Sequence, residues 1–100
     1  MTHEYTLLVG GTVVPGGGRP NVSAIAWAAD VLIALGSDDQ VRATSRGDSH
    51  VVDVGGAFVE PIDDATLEVG GPADLSVRIG GRVVAVVRGG RVVEGALPGH

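Results

Sequence analysis

Short apolar runs punctuated by glycine recur along this chain, and three of them share one pattern: a Gly-Gly pair followed by a Val pair. They read "GGTVV" at 10–14, "GGRVV" at 80–84 and "GGRVV" at 89–93. Paired glycines supply the positive φ angles of a two-residue hairpin, and flanking valines make its arms. Hairpins are therefore predicted at Gly10-Gly11, Gly80-Gly81 and Gly89-Gly90. Turn chemistry accounts for the recurrence without a duplicated repeat. The runs "VSAIAWA" at 22–28 and "DVLIALG" at 30–36 predict a fourth hairpin, turning near Ala29-Asp30 and buried on both faces. Ser37 followed by Gln40, with Asp38 and Asp39 between, is a capping-box pattern and predicts one or two helical turns. "HVVDV" at 50–54 and "AFVE" at 57–60 return to strand around Gly55-Gly56. In "DLSVRI" at 74–79 the alternation puts Leu75, Val77 and Ile79 on one face and Asp74, Ser76 and Arg78 on the other. "RVVAVVR" at 82–88 is apolar on both faces, as expected of a central strand or of a surface that something covers.

Composition sharpens this into a fold class. The chain has 100 residues, the size of a single domain with one modest core. Eighteen valines against three aromatic residues, Tyr5, Trp27 and Phe58, imply an interior of β-branched and small aliphatic side chains. Trp27 and Phe58 each lie inside an apolar strand and are expected in the core. Seventeen glycines and five prolines fit many short strands. The expectation is an all-β domain, a small β-sandwich or squashed barrel of about eight short strands with one short helix.

Charge and missing residue types narrow the function classes. The net charge is −5, lysine is absent and the seven arginines are scattered, so neither nucleic acid nor an anionic membrane is an expected partner. Without cysteine there is no disulfide framework and no thiolate zinc site. The start "MTHEYTLLVG" lacks the basic and apolar regions of a leader, and Ala24 to Gly36 is interrupted by Asp30, so a soluble, cytoplasmic protein is expected.

The order of the segments is itself informative. "LLVGGTVV", "DVLIALGSDDQVRA" and "VVDVGGAFVEPID" in succession resemble the opening of metal-dependent amidohydrolases. "LEVGGPADLSV" and "VVAVVRGGRVVEG" resemble the same family's closing segment. The resemblance covers nearly the whole chain. It implies that the two ends pair into one β domain, the composite domain, from which the catalytic TIM barrel is missing. On that reading residues 1–60 are the N-terminal half, 61–66 a joint loop replacing the barrel, and 67–100 the C-terminal half. The joint centres on Pro61, Ile62, Asp63 and Asp64. Asp63 matches the family's aspartate, but the two histidines that follow it in the family are replaced here by Ala65 and Leu67. A barrel needs about 250 residues, and the interval is a few residues long. The resemblance therefore implies a non-catalytic homologue of hydrolases acting on carbon–nitrogen bonds.

Other chemistry is thin. The acids Glu60, Asp63, Asp64 and Glu68 gather near the joint and are the weak candidates for holding a hard cation, although their order is not that of a calcium loop and a solvated acidic loop is the simpler reading. His3, His50 and His100 have no metal-pair spacing. "PGGGRP" at 15–20 lacks the Lys-Ser/Thr of a phosphate loop and reads as a hairpin tip. No catalytic, cofactor-binding or metal residue is assigned, and no cofactor is expected. The leading expectation is a stand-alone module acting through protein contacts, as a homodimer, with Val83, Val84, Val86 and Val87 at its interface. The alternatives are an accessory subunit that completes a barrel-type hydrolase in trans, or a small-ligand site in the cleft the barrel vacated.

Overall fold

The computed structural model describes residues 5–44, 49–62 and 66–97. Within them lie nine strands and one helix. In chain order these are β1 (Tyr5–Val9), β2 (Thr12–Val13), β3 (Ala24–Ala28), β4 (Val31–Gly36), α1 (Asp38–Arg42), β5 (Ser49–Asp53), β6 (Phe58–Pro61), β7 (Leu75–Ile79), β8 (Arg82–Arg88) and β9 (Arg91–Gly95). The class is all-β with one short helix. Sheet I has the strand order β4-β3-β1-β5 and sheet II the order β2-β6-β7-β8-β9. No helix among the described residues is long and apolar enough to cross a membrane.

Strand alternation divides the buried residues between two clusters. Leu8, Ile25, Trp27, Leu32 and Val52 from sheet I meet Val13, Val59, Leu75, Val77, Ala85 and Val87 from sheet II in the space between the sheets. Leu7, Val9, Ala24, Ala26 and Ala34 point to the other side of sheet I, where Val41 of α1 covers them. Sheet I is thus apolar on both faces, as the runs at 22–28 and 30–36 predicted, and three of its outward residues are alanines that let the helix lie close. The capping box forms as expected: Gln40 N–H donates to Ser37 Oγ at 3.2 Å, and Ser37 N–H donates to Gln40 Oε1 at 2.9 Å. Asp38 also accepts from Gly10 N–H and from the Ser23 hydroxyl, which fixes the helix start against the end of β1.

Three predicted hairpins are present. Ala28 pairs with Val31, Ile79 with Arg82, and Arg88 with Arg91. The fourth prediction, at Gly10-Gly11, is corrected: β1 and β2 lie in different sheets, and the glycines form a corner between them. In the two true Gly-Gly hairpins both glycines have positive φ, 59° and 80° in one and 58° and 78° in the other, whereas at this corner only Gly10 does, at 73°. A two-residue turn of that type needs both. Gly11 serves closeness of approach instead, since a Cβ there would lie 2.6 Å from the Ala57 carbonyl oxygen. Gly55-Gly56 makes a second corner alongside the first, and Gly56 N–H donates to Gly10 C=O at 2.8 Å. Because both corners turn together, β5 lies parallel to β1 in one sheet and β6 parallel to β2 in the other.

The C-terminal strands enter through β6, whose Pro61 pairs with Leu75 of β7. Before reaching β7 the chain stitches the two sheets together. Gly70 N–H donates to Leu32 C=O at 2.8 Å, Leu32 N–H to Gly71 C=O at 2.9 Å, and Ala73 N–H to Asp30 C=O at 2.9 Å. This covers the β4 edge of sheet I. From the sheet II side, Gly90 N–H donates to Ala73 C=O at 3.0 Å, Gly89 N–H to Asp74 Oδ1 at 2.7 Å, and Trp27 Nε1 to Gly90 C=O at 3.1 Å. The backbone of the "GGPADL" stretch therefore joins the β3–β4 turn to the β8–β9 turn, which gives those residues a structural role.

Candidate functional site

The described acids near the joint are separated from one another. Glu60 lies on β6, 3.3 Å from Arg78 Nε, and Glu68 lies 3.2 Å from Arg19 in the "PGGGRP" loop. Asp63 and Asp64 fall outside the described residues, as do His3 and His100. Among the described residues no three His, Asp or Glu side chains gather in a way that could hold a metal ion. His50 is exposed on β5. Both ion pairs are themselves substantially exposed, so each adds little stability.

The segment read from the sequence as a joint follows on the end of β6. Pro61 closes β6 beside Leu75, and Ile62 beyond it is half-buried. On the return, Leu67 is buried in the core and its N–H donates to Pro15 C=O at 2.9 Å. The connection is thus anchored on both sides of a short interval. A folded domain with adjacent termini, inserted between Asp63 and Asp64, is expected to cost less than about 2 kcal/mol in loop closure. The same insertion between Val69 and Gly70 would break the stitch across the sheets and should prevent folding. Thermal melts of the two fusions check this; equal melting temperatures would show that 70–73 is not structural.

Beside the joint, Val14, Gly16, Gly17, Glu60, Pro61, Ser76 and Arg78 line an open depression of about 410 Å³ on the outer face of sheet II. Its charged groups already satisfy each other in the Glu60–Arg78 pair.

The surface of sheet II leaves several apolar side chains exposed. Strand pairing aligns Phe58, Arg78 and Val83 in one outward row, and Glu60, Ser76, Val86 and Glu94 in the next. Phe58 is 47% exposed and Val83 45%. The expectation that Phe58 is a core residue is corrected. Glu60 must face water, so period-two alternation sends Phe58 the same way and Val59 inward, a signal present in "AFVE" from the start. Of the four valines expected at an interface, Val87 is fully buried and Val84 leans on the core, while Val83 is exposed and Val86 half-buried on the outer face. An irregularity opposite Val77 and Arg78, a β-bulge, turns Val84 inward beside Ala85. Ile79, at the end of β7, is exposed despite sharing a face with Leu75 and Val77. Strand β9 is exposed along its whole length, with Val92 at 41% and Val93 at 52%, and among the described residues it pairs with β8 on one side only.

No protein-family model matches this sequence, and no curated protein matches it. Among solved structures, the fold is similar to an uncharacterized metal-dependent hydrolase from Pyrococcus furiosus, with a TM-score of 0.52 and 20% identity. The match takes in 57% of this chain and 13% of that one. The fold therefore resembles a small part of a metal-dependent hydrolase.

Proposed function

We propose that this chain is a non-catalytic β module resembling the composite domain of metal-dependent amidohydrolases, and that it acts by protein contact, associating with a second copy of itself. The observation that carries this reading is the asymmetry between the sheets. The outer face of sheet I is covered by α1 over most of its apolar cluster, leaving Val51 exposed on the β5 edge. Sheet II leaves Phe58, Val83, Val92 and Val93 exposed, on its outer face and along β9. Apolar groups left in water on one side of a small domain are what an interaction surface requires. The similarity to a fraction of a metal-dependent hydrolase supports the ancestry.

Sedimentation velocity across low to high micromolar concentrations tests the reading. The expected result is a shift from monomer to dimer as concentration rises; a chain that stays monomeric throughout would overturn it. The second reading, an accessory subunit in trans, draws on the same hydrolase similarity. It predicts a monomer that restores hydrolysis of cyclic amides when mixed with a barrel-type hydrolase lacking its own β domain.

A further inference from the structure

We draw no further inference here: the strongest candidate, the edge strand β9 of sheet II with Val92 and Val93 exposed along it, carries none because nothing in the structure shows what covers it.

Discussion

Gly90→Ala is expected to destabilise the domain by about 3–5 kcal/mol, a large share of what a chain of this size possesses. Two effects add. Gly90 has φ 78°, a left-handed conformation that costs an L-residue roughly 1–2 kcal/mol. The larger effect is steric: a Cβ at this position would overlap the Ala29 carbonyl oxygen and come within 3.2 Å of Trp27 Cδ1. The β8–β9 turn would have to withdraw from the β3–β4 turn, breaking the Gly90–Ala73 and Trp27–Gly90 hydrogen bonds. Gly80→Ala provides the control. Gly80 has a similar φ of 59° but open space where its Cβ would stand, so the backbone effect acts alone. Urea unfolding monitored by Trp27 fluorescence measures both, and equal losses would show that close approach at Gly90 is unimportant.

Trp27→Ala is expected to cost about as much, 3–5 kcal/mol, for a different reason. The indole is buried between the sheets, among the residues that Leu32 and Val87 also line. Its removal leaves a cavity that neighbouring valines cannot fill, because their branched side chains have few alternative rotamers. Trp27→Phe retains most of the apolar volume and loses the Nε1 donor, leaving Gly90 C=O without that bond. A loss of about 1–2 kcal/mol is expected for it. Circular-dichroism melts would rank the two variants, and a Trp27→Phe as damaging as Trp27→Ala would assign the residue's value to the hydrogen bond rather than to packing.

Much of this architecture is legible in the sequence because local chemistry decides it. Gly80-Gly81 and Gly89-Gly90 turn where predicted since the valine arms on both sides remain in one sheet, and Ser37 with Gln40 starts a helix because capping needs only neighbouring groups. "GGTVV" at 10–14 has the same local pattern and a different outcome. Strand β1 already has β3 on one side and β5 on the other, so the chain after Gly10 has no place beside it and passes into sheet II. That exclusion depends on residues forty positions away in the chain, which no local window contains. The parallel pairings were hidden for the same reason. At the candidate surface, the outward face of Phe58 was readable from Glu60, but the shared face of Arg91 and Glu94 was not. It depends on a bulge, and alternation counted along an unbroken strand places the two charges on opposite sides.

The division of strands between the sheets also sets an order of events during synthesis. Every strand of sheet I lies within residues 5–53, so that sheet and the helix over it can form once roughly half the chain has left the ribosome. Sheet II has at that moment only the two residues of β2, and then β6. The inner face of sheet I, with Leu8, Ile25, Trp27, Leu32 and Val52, must wait uncovered until β7 to β9 emerge. Until then the nascent chain is half a sandwich with its apolar side open, the stage at which a chaperone would find most to hold.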